Sequence, residues 1–141
     1  MAAALGPGAP SRRPGRPTDI PTNRLDGVTS SEVPTVSVDQ IPPDALLLDC
    51  REDDEWEAGH IDGAVHVPMN EIPARLQYGP GEIIPERTIV VVCKVGGRSA
   101  HVAAWLNNNG FDAFNLDGGM LAWATAGRPM VTDDGRPPQV A

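Results

Sequence analysis

The chain has 141 residues, 11 of them Lys or Arg and 19 Asp or Glu, for a formal net charge of −8. That length suits one domain, and the acidic balance argues against nucleic-acid binding, which needs surplus basic side chains to neutralise phosphates. Two cysteines are too few for a disulfide framework but leave room for one reactive thiol, and no apolar run approaches the roughly 18–20 residues that cross a membrane.

In residues 1–34, Pro7, Pro10, Pro14, Pro17, Pro21 and Pro34 recur among Gly, Ala, Ser and Arg without apolar periodicity, which predicts a disordered N-terminal arm. Arg12, Arg13 and Arg16 give residues 1–18 a charge of +3, leaving −11 on the rest. Ala2–Leu5 is broken at once by Gly6 and Pro7, so no secretory apolar segment is read and the expected compartment is the cytoplasm. Thr35–Val38 reads as an edge strand, and Leu46–Leu48 as a strand that ends at Asp49-Cys50-Arg51. Glu52 to Glu55, with Glu57, reads as a helix start, where carboxylates favour the dipole. Ala64–Val67 forms a further strand stopped by Pro68, and Asn70–Leu76 has helical composition that Pro73 limits to its first turns.

Ile89–Val92 is the clearest strand: four consecutive β-branched residues suit the centre of a parallel sheet, buried on both faces. The best helix runs over Arg98–Asn109, with Val102, Trp105 and Leu106 on one apolar face and Gly110 as its stop. Ala113–Leu116 and Gly119–Ala126 read as the last strand and helix, with Trp123 in the core. Beyond Gly127, the prolines at 129, 137 and 138 predict a flexible tail over 128–141. The alternation predicts one α/β domain over 35–127, with a small, mainly parallel sheet flanked by helices.

The chemistry gathers in Thr88–Ala100. A buried strand delivers Cys93 to its C-terminal end, a short loop with Gly96 and Gly97 follows, and a helix begins. Ligands bind at this edge of open α/β sheets. The glycines let successive N–H groups point into one concavity, and the first helical turn adds unpaired donors and a positive dipole end. A thiol there is expected to have a depressed pKa. Core packing alone does not require a cysteine to open a Gly-Gly-Arg-Ser turn. Lys94, the chain's single lysine, and Arg98 add positive charge. Lys94 reads equally as a substrate contact or a solvent-facing loop residue, and Ser99 can offer its hydroxyl to the cup or to the backbone.

Three blocks resemble single-domain rhodaneses, which are sulfurtransferases. The loop Cys93-Lys-Val-Gly-Gly-Arg98-Ser99 is similar to their active-site loop. Leu47-Leu-Asp49-Cys-Arg51-Glu52, followed by Trp56 to Ala64 with Gly59-His60-Ile61, is similar to their N-terminal signature, and Leu116-Asp-Gly118-Gly119-Met-Leu-Ala-Trp123 to their C-terminal one. The resemblance implies that Cys93 takes a sulfane sulfur from an anionic donor such as thiosulfate as a persulfide. It then passes that sulfur to a thiol or cyanide acceptor, a sulfur-carrier protein being one candidate. Lys94, Val95, Gly96, Gly97, Arg98 and Ser99 would bind substrate, and Asp49 and Arg51 would brace the loops. The resemblance implies no metal and no organic cofactor, and neither nucleic acid nor membrane is an expected partner.

Phosphatases and arsenate reductases of the same fold place Arg after five intervening residues, whereas four separate Cys93 from Arg98 here; the resemblance implies that this shorter loop makes a cup suited to one sulfur atom. A non-catalytic binding module is the other alternative. Cys50 reads as a core residue, with a resolving thiol as the rival role. His60 and His66, with Asp62 between them, lack a metal spacing, and His101 reads as a surface imidazole.

Overall fold

The computed structural model describes residues 33–77, 81, 83 and 85–141; the predicted N-terminal arm therefore lies outside the described residues up to position 32. Among the described residues five strands form one parallel sheet: β1 (Thr35–Val36), β2 (Leu46–Asp49), β3 (Val65–His66), β4 (Thr88–Val92) and β5 (Asp112–Leu116). Their order across the sheet is β1-β5-β4-β2-β3, so β4 is central, as its β-branched run predicts. Among the described residues are four α-helices, α1 (Asp53–Ala58), α2 (Ile72–Gln77) and α3 (Gly97–Asn108) between strands and α4 (Gly119–Thr125) after the last strand. Short 3₁₀ turns occupy Val38–Gln40 and Met69–Glu71. The edge strand is thus shorter than the predicted Thr35–Val38, and Pro73 sits in the first turn of α2, where its missing N–H costs little.

Side chains of β4 alternate between two cores. Ile89, Val91 and Cys93 join Leu48, Cys50, Val102, Trp105 and Leu106 on the α3 side, while Val90 and Val92 join Leu116, Met120 and Trp123 on the α4 side. All four β-branched residues are at most 1% exposed, and each such side chain contributes roughly 1.5–3 kcal/mol of burial free energy. Val102, Trp105 and Leu106 are buried on α3, whose chain reverses at Gly110 with φ 91°.

The C-terminal segment, expected as a flexible tail over 128–141, lies against the domain. His60 and Val131 exchange backbone hydrogen bonds of 2.9 and 2.8 Å, and the Gln139 N–H donates to the Ala58 carbonyl at 2.9 Å. The Trp123 indole N–H donates to Pro129 O at 2.9 Å, and Met130 and Val140 pack on the α4-side core. A composition rich in Pro and Gly therefore marks an extended strap here. A Cβ at Gly59 would lie 2.7 Å from the Gln139 carbonyl oxygen, so the close approach of the strap requires glycine there. A cavity of about 540 Å³ opens between the strap and Asp54, Glu57 and Ala58 of α1, and none of its lining residues belongs to the Cys93 loop.

Candidate active site

The parallel sheet places the C-terminal ends of β2, β4 and β5 at one edge, and Cys93 is the first residue after β4. Its residue is buried at the floor of the loop. Gly96 then takes φ 110°, a left-handed conformation that L side chains rarely adopt, and turns the chain into α3. Gly97 has no such requirement: it is the first residue of α3, and a Cβ built there would meet nothing within 4 Å.

The turn converges donors on sulfur. The Gly96 N–H donates to Sγ at 3.1 Å, the Ser99 N–H at 3.4 Å and the Ser99 hydroxyl at 3.3 Å. Burial pushes the Cys93 thiol up, but these hydrogen bonds outweigh it and hold the pKa below the ordinary value. Ser99, left open between cup and backbone, faces the cup. Its hydroxyl also reaches Oδ1 of the buried Asn115 on β5, 2.5 Å away.

The register that pairs Asp49 with Val92 continues through the Cys50 N–H, which donates to Val92 O at 3.0 Å; Cys50 and Cys93 thus end neighbouring strands and share one core. Cys50 is raised well above the usual thiol range, chiefly by burial and then by Cys93 itself. The two cysteines at one edge are thus shifted in opposite directions. The full burial of Cys50 fits the core role that the sequence gives it.

The two basic loop residues differ. Arg98, expected to attract an anionic donor, gives its guanidinium fork to Glu55 of α1 through bonds of 2.8 and 2.9 Å. That partner holds the Glu55 carboxyl at about 2 and pushes Arg98 further up. Glu55 also accepts the Glu52 N–H at 3.0 Å, closing the first turn of α1, so one carboxylate ties the helix to the loop. Lys94 is half-buried and forms no ion pair among the described residues. Val95 is 59% exposed at the tip of the loop, and Leu121 of α4 is 43% exposed. Beneath them, the Met120 and Leu121 N–H groups donate to the carbonyls of Cys93 and Lys94 at 2.8 and 3.1 Å, so α4 buttresses the loop. Gly119 permits this approach. A Cβ there would collide with the Cys93 carbonyl oxygen.

Asp49 and Arg51 brace the edge from within. Arg51 Nη2 donates to Asp49 Oδ2 and to the Gly59 carbonyl, each at 2.8 Å, and both side chains are at most 1% exposed. His60 and His66 stack on Trp56 with ring centroids 3.6 and 4.7 Å away. His60 Nδ1 lies 2.9 Å from Trp56 O and His66 Nε2 lies 2.8 Å from Arg51 O. These contacts secure the chain after β2. His101 is half-buried in the first turn of α3.

The family model of the rhodanese-like domain matches residues 37–126. The chain belongs to the rhodanese-like family. A sulfurtransferase from Allochromatium vinosum is 39% identical over 93 residues, which cover 65% of this chain and 83% of that protein. A rhodanese-like domain protein of known structure from Staphylococcus aureus is 33% identical with a TM-score of 0.56, covering 64% of this chain and 90% of that one. A rhodanese-related protein from Thermoplasma volcanium shares the fold, with a TM-score of 0.63 at 22% identity over 71% of this chain and 99% of that one. A rhodanese-like domain with a sulfurtransferase relative at this identity supports a sulfurtransferase-type role.

Glu55 and Asn115 are the site residues that the sequence did not single out. Glu55 sits among five carboxylates in six positions, and helical spacing alone does not tell which one faces a loop 43 residues away. Asn115 precedes the C-terminal signature directly, and a polar residue inside a short apolar strand at the ligand-binding edge was the available signal.

Proposed function

We propose that the protein is a sulfurtransferase in which Cys93 carries one sulfane sulfur between an anionic donor such as thiosulfate and a thiol or cyanide acceptor. The observation that carries this reading is the convergence of the Gly96 N–H, the Ser99 N–H and the Ser99 hydroxyl on a single sulfur at the end of the central strand. In the first step the Cys93 thiolate attacks the outer sulfur of thiosulfate. The Cys93 S–S bond forms, the bond within thiosulfate breaks, and sulfite leaves with the electron pair. In the second step an acceptor thiolate or cyanide attacks the terminal sulfur, the persulfide bond breaks, and Cys93 regains its thiolate. Donors that stabilise a charged sulfur serve both ends of this cycle. Lys94 draws the anion to the loop. Arg98 acts mainly by fixing the loop through Glu55, and because its fork is already taken it is poorly placed to clamp a tetrahedral phosphate or arsenate.

The test is intact-protein mass spectrometry after incubation with thiosulfate, followed by transfer to cyanide. The wild type should gain about 32 Da, one sulfur atom, located on the Cys93 peptide, and release it on adding cyanide. Cys93→Ser should fold normally, gain nothing and transfer nothing. Sulfur transfer by Cys93→Ser, or an adduct confined to Cys50, would refute the mechanism. Absence of any adduct on the wild type would favour a non-catalytic binding module.

A further inference from the structure

Ser99 has one hydroxyl proton and two claimants for it: Sγ of Cys93 at 3.3 Å and Oδ1 of Asn115 at 2.5 Å. It serves only one of them at a time. With the proton on Asn115, the hydroxyl oxygen turns its lone pairs to sulfur, an arrangement that suits an S–H. Once the thiol proton has left for solvent, or a persulfide has formed, sulfur carries negative charge and that oxygen must donate to it. An amide holds an acceptor and a donor on one carbon, so Asn115 can meet the change by presenting Nδ2 to Oγ in place of Oδ1. The residue is placed for this. It is 8% exposed on β5, and its Nδ2 lies 3.8 Å from where a Cβ of Gly96 would be, at the border of the cup.

We propose that Asn115 is a positioning residue for Cys93, its amide deciding whether the Ser99 hydroxyl proton is held on β5 or given to sulfur. The proposal deepens the sulfurtransferase reading and rests on Cys93 being the sulfur-bearing nucleophile. Its test needs no sulfur donor: the rate at which iodoacetamide alkylates Cys93 is followed against pH by peptide mass spectrometry. Ser99→Ala removes a donor to the charged sulfur and should slow alkylation near neutral pH about tenfold. Asn115→Leu leaves sulfur as the sole claimant among these groups and should alkylate at least as fast as the wild type. Asn115→Asp, an acceptor only, should slow alkylation like Ser99→Ala. In the Ser99→Ala background, Asn115→Leu should have no further effect.

A residue that merely packs would slow the reaction whether replaced by Leu or Asp, and would do so without Ser99. Asn115→Leu slowing alkylation as Ser99→Ala does, or an effect undiminished without Ser99, would overturn the proposal. Should Asn115→Leu fail to fold, Asn115→Ala carries the same expectation. The expected alkylation pattern in a protein that takes up no sulfur from thiosulfate would remove the sulfurtransferase reading and leave the role of Asn115 standing.

Discussion

Replacing Glu55 by Gln isolates the ion pair that ties α1 to the Cys93 loop. Gln keeps the shape, and its Oε1 can still accept the Glu52 N–H and Arg98 Nη1, but its Nε2 would face Arg98 Nη2, so the change removes the charge and one of the two bonds of the fork. The carboxyl falls from 4.5 to about 2, chiefly through its hydrogen bonds to Arg98. That difference corresponds to a gross preference of about 3 kcal/mol for the charged form in the folded state. Solvent reduces it, since the Arg98 side chain is 35% exposed and that of Glu55 16%, so a net loss of about 1–2 kcal/mol is expected at neutral pH. Because the folded pKa is depressed, this stability is present above the unfolded carboxyl's pKa and disappears as the pH falls through the folded value. Urea unfolding at a series of pH values measures it. The gap between wild type and Glu55→Gln should be constant above about pH 5, narrow through pH 4 to 3 and be nearly closed near pH 2, where about half of the folded wild-type side chains are protonated. A gap of the same size at pH 2.5 as at pH 7 would show that packing, not charge, links α1 to the loop.

Three further outcomes follow from the same geometry. In native protein near pH 8, iodoacetamide should label Cys93 and spare Cys50, and both should react after denaturation; labelling of native Cys50 would contradict its burial and raised pKa. Gly119→Ala would set a Cβ 2.7 Å from the Lys94 carbonyl at φ 56°, so urea unfolding should show a loss of about 2 kcal/mol or more, and sulfur transfer should fall with it as the loop is displaced. Deleting residues 128–141 removes the His60–Val131 pair and the bonds to Ala58 and Trp123, and the thermal midpoint should drop by about 5 °C or more; an unchanged midpoint would make the strap a passive layer.

The central strand, the helix after the loop and the place of Cys93 between them were legible because each rests on a local signal. Ile89–Val92 is β-branched throughout, Val102, Trp105 and Leu106 fall on one helical face, and Gly96 supplies the left-handed turn between them. What was not legible depends on pairing between distant segments. Arg98 reads as a free cation until Glu55 is seen to hold it, and the tail reads as free chain until Val131 meets His60. Proline and glycine raise the odds of irregular backbone, but an irregular segment can still be fixed if its amides find partners and its few apolar side chains, here Met130 and Val140, find a core. The role of Ser99 stayed open for the same reason. Its hydroxyl lies between Cys93 and Asn115, a neighbour on another strand.

This pairing also changes how the charge of the chain bears on the site. The residues beyond position 18 carry −11, a field that repels an anionic donor at a distance, and Glu55 cancels the formal charge of Arg98 beside the cup. Of the two loop cations, Lys94 alone is unpaired among the described residues. The stabilisation of negative charge at sulfur therefore rests mainly on the Gly96 and Ser99 N–H groups and the Ser99 hydroxyl, whose partial charges act within hydrogen-bond distance and are fixed by the turn. Such dipoles would favour charge on Cys93 or, in the proposed cycle, on the sulfur attached to it. In this arrangement Arg98 contributes geometry through Glu55, and the glycine that sets the turn matters more to the charged sulfur than the arginine that follows it.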